Sequence, residues 1–470
     1  MKSKRFITVT VIMVLTVLIL LSSCTMEDAE YLGGLLSSMT DLETKVPLST
    51  TKIATQPPVY TTPVTTQEYP GCHLHPTPEV PKDGIIETAE QLHAVLIKGD
   101  ASKDYTVVAK ELDMSRFSWR GMENYSGTFD FGGCVIKNAV DSLFISVKGG
   151  TIKNLVIADT EYLYTNDYAQ SEIDPVVGTA PNLHYSPVVR YAENITISNV
   201  TIQSSVKIKS DIWADNSCHG AIIGRAVGDN VLIENCHFAG EYETDSLVVN
   251  FGGIAGYIRS SSEETVDLKD PMASKVRIVG CTNTGRVVNI CVGGDSKVSG
   301  IVGRIDNGAV IGCGNYGEVN SRGAGQTAGI VGLVYGNSYV KNCINTASVK
   351  GNQYVGGICG YSNGENRYFE NCINLGSMSA DSKYGYFGGI IGYVKLQENL
   401  INCFNLKDQC ENFAYYHKLG VIDPGDPATF GDAKLTNCAN LSYVEDILSA
   451  IKDVAPSVFK MAQNGLLELL

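Results

Sequence analysis

Between Gly220 and Gly392 the chain writes six versions of one five-residue phrase, GAIIG, GGIAG, SGIVG, AGIVG, GGICG and GGIIG, and this repetition constrains the fold more than any other feature. The closing glycines Gly224, Gly256, Gly303, Gly332, Gly360 and Gly392 follow one another at intervals of 32, 47, 29, 28 and 32 residues. The one long interval holds RSSSEETVDLKDPMAS, which reads as a polar surface insertion. Behind the phrases come Cys236, Cys281, Cys313, Cys343, Cys372, Cys403 and Cys438. Two residues after each of the last six stands an asparagine, at Asn283, Asn315, Asn345, Asn374, Asn405 and Asn440, while Phe238 takes that place in the first.

A period of roughly thirty residues with three short β-rich runs per unit is that of one coil in a parallel β-solenoid. The runs are the Gly-X-X-Gly segment, a YVKNC-like segment and an ASV-like segment. Coils stacked ~4.8 Å apart share a parallel ladder buried inside the stack. Interior strands need all their N–H groups, and the sequence has no proline between Pro271 and Pro424. No leucine-rich pattern or 3.6-residue apolar stripe persists through the repeats, so other solenoid classes fit worse. The glycines are expected where the wall needs a positive φ or close backbone approach, the asparagines where amides can bond along the stack, and the cysteines as small inward-facing fillers.

Order is expected from Gly84. The segment Glu87–Ile97 carries Leu92, Val95 and Leu96 at helical spacing and reads as a short amphipathic helix capping one end of the solenoid. Strand-like runs with Gly and Asn turns follow through Ser210, so the solenoid is assigned to 84–440 with its explicit repeats at 220–440. Residues 441–470 read as a helical cap, with Val444, Ile447, Leu448 and Ile451 at spacings of three and four, because an open sheet end invites aggregation. The fold class is therefore all-β, a parallel β-helix with short capping helices at both ends.

The first 23 residues place Lys2, Lys4 and Arg5 before an apolar run from Phe6 to Leu21, the layout of a secretion signal. Leu21-Ser22-Ser23-Cys24 resembles the lipobox of bacterial lipoproteins, which implies lipidation at Cys24 and a membrane anchor on the bacterial cell surface. Residues 24–83 read as anchor and stalk, since eight of the fifteen prolines lie from Pro47 to Pro81 among many threonines. The net charge of −14 and the lack of a basic cluster exclude nucleic acid as a partner.

The six phrases resemble the GLUG motif of bacterial surface proteins, with Ile222, Ile254, Ile301, Ile330, Ile358 and Ile390 where leucine is commoner. The segments GTFDFGGCVIKN and SLFISVKGGTIKNLVI are similar to the opening coil of the same proteins. The resemblance covers about Gly84 to Asn440. It implies a right-handed, pectate-lyase-like parallel β-helix that attaches or binds at a surface, and it brings no catalytic residues.

Glycoside hydrolysis needs two carboxylates on one face, and Asp295, Asp306 and Glu318 do not recur at equivalent repeat positions, which favours a solvated acidic surface. GGDSK at 293–297 lacks the partners of a serine nucleophile, and CHLH at 72–75 lacks a second ligand pair for zinc. His219 and His237 read as structural or solvent-facing. Stacked thiols point the same way, so free cysteines are expected. No metal and no cofactor is implied. Chemistry of another kind follows the turns, where Arg225, Tyr257, Arg304, Leu333, Tyr361 and Tyr393 would form one vertical column. Two readings of it stand: a binding face on which Tyr257, Arg304, Tyr361 and Tyr393 meet a ligand, or an aromatic ladder that only stabilises the sheet. The first makes the protein an adhesin or module binding extracellular polysaccharide or a host surface protein; the alternatives are a polysaccharide lyase or hydrolase, or a passive scaffold.

Overall fold

The computed structural model describes residues 79–469, apart from 165–183, 212–216, 417–419, 425–433, 462–466 and a few shorter gaps. The chain divides into Met1–His73 and Leu74–Leu470, and the described residues all belong to the second unit. The signal segment, Cys24, CHLH and nearly all of the stalk lie outside them.

The strands stack as a parallel β-solenoid. One coil shows the plan: an entry strand Gly325–Ala328, the GIVG corner, a wall strand Val331–Tyr335, a back strand Ser338–Lys341, a short strand Ile344–Asn345 and a closing strand Val349–Gly351. The coil thus has two elements beyond the three runs legible in the repeats, the entry strand and the short strand. Each pairs in parallel with its counterparts above and below, as in Val302↔Val331↔Cys359 and Asn315↔Asn345↔Asn374. Wall, back and short strands join one 29-stranded sheet, and entry and closing strands form two ladders of seven, all counted among the described residues.

Matching letters do become neighbours. The first Asn column is a continuous amide ladder inside the core: Asn283, Asn315, Asn345 and Asn374 each donate Nδ2–H to the next Oδ1 at 2.7–2.9 Å, and Asn405 donates to Asn440. Its lower end is closed by Phe238, in register beneath Asn283. A second ladder lies one residue before the cysteines, where Asn371, Asn402 and Asn437 each bond to the amide below at 2.9 Å. Residues here adopt the left-handed region, from Asn235 through Gly280 and Gly312 to Asn437, which only Asn and Gly enter cheaply. The cysteines face inward with free thiols.

The glycines of the phrase resolve to close approach. A Cβ on Gly303 would stand 2.4 Å from the Phe251 nitrogen, and one on Gly392 2.6 Å from that of Val355, each in the entry strand below. The second letter meets the amide ladder instead: a Cβ on Gly357 would stand 2.2 Å from the Gly389 oxygen and 2.3 Å from Asn374 Cγ. GAIIG, which has Ala221 there, belongs to the coil in which Phe238 replaces the asparagine, so the two motifs are one packing requirement. Gly357→Ala is expected to lower stability by roughly 1–3 kcal/mol, since neither neighbour can retreat, and a denaturant midpoint measures it. Both apolar letters between the glycines face the core because the chain turns between them: Ile301 and Val302 are equally buried.

The register also explains why the phrase starts at Gly220. Arg190 takes the closing-glycine place one coil lower, in VVRY aligned with IIGR. The entry ladder begins at that level with His184–Tyr185, and the Arg190 side chain turns to Asp141 and Ser142.

Helix α1, Ala89–Lys98, starts at a Thr88–Gln91 capping box and adds Leu92, Val95 and Leu96 to the same core as Ile86 and Tyr105. The C-terminal segment departs from the helical expectation. Helix α2, Val444–Val454, ends before Pro456, whose predecessor Ala455 has left helical geometry (φ −143°, ψ 57°), and the chain continues as antiparallel strands Phe459–Met461 and Leu467–Leu469. Nor does α2 only close an end. Ile447 and Ile451 pack on the outward column Ile344, Ile373 and Phe404, so the tail runs along the flank. The insertion at 259–274 similarly lays Val266 and Leu268 over Ala309, Ile311 and Tyr339. Among the described residues no helix is long and apolar enough to cross a membrane.

Candidate functional site

Register puts the turn-following residues in one column, Tyr191, Arg225, Tyr257, Arg304, Leu333, Tyr361 and Tyr393. Beside it the entry strands set a second column that sequence reasoning missed: Cys218, Asn250, Lys297, Gln326, Tyr354 and Tyr386. A signal existed, because each entry strand runs directly into its phrase, as in YVGGICG and YFGGIIG, and alternation from Val355 inward puts Tyr354 outward. Outward side chains diverge at a convex corner. Here they converge: Tyr354 lies 5.2 Å from Tyr361 and 4.8 Å from Tyr393, and Tyr386 5.3 Å from Tyr393, so the two ladders meet in a re-entrant corner.

The corner changes character along its height. At the top, Tyr361 and Tyr393 stack at 5.4 Å and 3°, Tyr354 and Tyr386 at 5.7 Å and 10°, and the two stacks cross at 53–58°. Parallel stacking along the coil axis covers the shared ring faces and leaves edges toward solvent. The rings thus form a ladder along the sheet, and their half-buried edges line its surface. Tyr335, on the next outward position of the wall, is 44% exposed.

In the middle, two of the singled-out residues are committed to the protein itself. Tyr257 is 7% exposed and donates its hydroxyl to Asp306 at 2.6 Å. Arg304 grips the same carboxylate through two bonds of 2.8 Å and lies 4.8 Å over the Tyr257 ring. Burial, then the Asp306 charge, hold the Tyr257 phenol protonated well above its ordinary range. Asp306 is therefore no solvated acid. Glu318 pairs with Arg286, and Asp295 with Lys297 at 2.7 Å while accepting from Gln326, so all three acids set aside as surface charge sit in ion pairs. Two amide oxygens in this stretch, Asn250 Oδ1 and Gln326 Oε1, have no hydrogen-bond partner among the described residues, although the two residues are only 5% and 7% exposed.

At the bottom, an open depression is lined by Tyr191, Glu193, Asn194, Arg225, Val227, Gly228 and Arg259. Of the histidines, His219 is buried inside the core with its pKa pushed down to about 3 by desolvation, and His237 bonds to Thr282. Among the described residues no group of three His, Cys, Asp or Glu side chains is placed to hold a metal ion.

No family model matches the sequence. No curated protein matches it either. Among solved structures, the chain is similar to one from Bacteroides ovatus provisionally described as an immunoglobulin A1 protease, at 17% identity and a TM-score of 0.39, over 82% of this chain and 91% of that one.

Proposed function

We propose that this protein is an exported, lipid-anchored surface protein that binds an extracellular ligand, a polysaccharide or a surface protein, in the re-entrant corner of its solenoid. The observation that carries this reading is the pair of buried amide oxygens without a partner among the described residues, Asn250 Oδ1 and Gln326 Oε1, on the entry column that continues upward into Tyr354 and Tyr386, two of the four half-buried tyrosines of the corner. A buried polar atom without a partner costs about 1–3 kcal/mol, and a ligand donor arriving there recovers it. Lipidation at Cys24 and the Pro/Thr-rich stretch to Pro81 would hold the solenoid away from a membrane.

The test is binding by the full chain to a panel of immobilised polysaccharides and surface proteins, repeated with Tyr361→Ala/Tyr393→Ala and with Gln326→Leu. Each variant is expected to weaken the positive interaction about tenfold or more while circular dichroism stays unchanged. Undiminished binding by both variants, folded as judged by the same spectrum, would remove the corner as the site.

A further inference from the structure

The corner's chemistry narrows the ligand. The chain carries 36 basic residues against 50 acidic ones, yet four cations gather along this one re-entrant line. Arg225 and Arg259 border the lower depression, and Lys297 and Arg304 stand above them on the two facing columns. Arg225, Lys297 and Arg304 all act electrostatically on Cys218, one coil above His184 at the base of the entry column. The acids nearest them are engaged within the wall: Asp306 by Arg304 and Tyr257, Asp295 by Lys297 and Gln326, and Glu193, which lines the depression beside Arg225 and Arg259, by the Tyr191 hydroxyl at 3.4 Å. Arg259 is exposed and enters no ion pair among the described residues. A second observation points to a hydroxyl-bearing ligand: the free acceptors Asn250 Oδ1 and Gln326 Oε1 belong to the same column, with Lys297 between them.

Resting on the binding reading above, we propose that the corner takes an anionic saccharide lying along the solenoid axis. Its hydroxyls donate to Asn250 and Gln326, its carboxylate or sulfate groups meet Arg225 and Arg259, and its far end reaches the tyrosine edges. Acceptors with no donor select for a polyhydroxyl chain over a purely anionic one, and the uncompensated arginine selects for charge over a neutral glycan.

The experiment is calorimetric titration of the full chain with three hexasaccharides of equal length, one uronate-bearing, one sulfated and one neutral. At least one anionic hexasaccharide is expected to bind about tenfold more tightly than the neutral one and to weaken as salt rises from low to physiological strength. Arg259→Ser should lower that affinity roughly tenfold without altering the melting temperature, since the side chain is exposed. Gln326→Leu should weaken anionic and neutral sugars alike. Whether the uronate or the sulfated sugar wins identifies the acidic group. Equal, salt-insensitive binding of the neutral sugar, unchanged in Arg259→Ser, would overturn the anionic assignment and leave the corner as a binding site. Absence of saccharide binding, with a protein ligand still lost on Tyr361→Ala/Tyr393→Ala, would overturn the saccharide assignment alone; if every ligand binds those variants undiminished, both readings fall.

Discussion

Arg367→Met is expected to destabilise the protein by about 3–5 kcal/mol at pH 8, among the largest effects available to a single side chain here. Arg367 and Glu398 are in register on adjacent back strands, point into the core, are 0% exposed and meet at 2.9 Å. Removing the guanidinium leaves a carboxylate inside an apolar stack. Replacing both, as Arg367→Met/Glu398→Leu, is expected to be neutral or stabilising, because a buried pair rarely recovers its full desolvation cost.

The pair also makes stability depend on pH. Burial pushes the Glu398 pKa up to about 7, against the opposing pull of Arg367. As pH rises from the ordinary carboxylate range through 7, the unfolded chain releases this proton before the folded one does. Stability from this group is thus present at pH 4–5 and lost by pH 8, by roughly 3 kcal/mol at ~1.4 kcal/mol per unit. Urea midpoints at pH 5 and pH 8 measure it, and Glu398→Gln should flatten the difference. A wild-type profile that rises across this window, with Glu398→Gln unchanged from it, would contradict the assignment.

The second large effect belongs to the inner amide ladder. Asn345→Ala removes the acceptor of the Asn315 amide and one donor to the Asn374 oxygen, in a stretch shut off from water. With about 1–3 kcal/mol for each buried group left unsatisfied, the expected loss is roughly 2–6 kcal/mol. Asn402→Gly in the outer ladder is the contrast. It keeps the positive φ of 51° and opens two amide bonds, one to the exposed Asn437 and one to Asn371, which alone of the three is buried, so no more than about 1–2 kcal/mol should be lost. Near-equal losses in the two variants would mean that the inner ladder has no special standing.

Fold class was readable because a parallel solenoid converts sequence period into vertical contact. The glycine, cysteine and asparagine columns recur at fixed offsets, and each proved to be a stack. What escaped was whatever does not repeat. Arg367 and Glu398 both stand five residues before a core cysteine, so aligning the units on Cys372 and Cys403 would have paired them, but opposite charges at one offset look like variation rather than a contact. The entry column varies from Cys218 through Asn250 and Lys297 to Tyr354, and without a constant letter it carried no periodic signal. The tail misled for a local reason: the apolar spacing of Val444 to Ile451 is helical, and nothing in that spacing shows that Phe459–Met461 and Leu467–Leu469 will pair as strands.

The flank on which α2 lies has a further implication. Its apolar column begins at Ile344 and includes Ile373 and Phe404, whereas the positions below are Gly314, Thr282 and His237. The tail therefore works as a gauge of coil number. A unit duplicated low in the stack only lengthens the rod, but one duplicated between Cys343 and Asn405 moves the greasy strip out from under its cover. Duplication of a unit is thus expected to cost little stability toward the N-terminal side and more near the C-terminus.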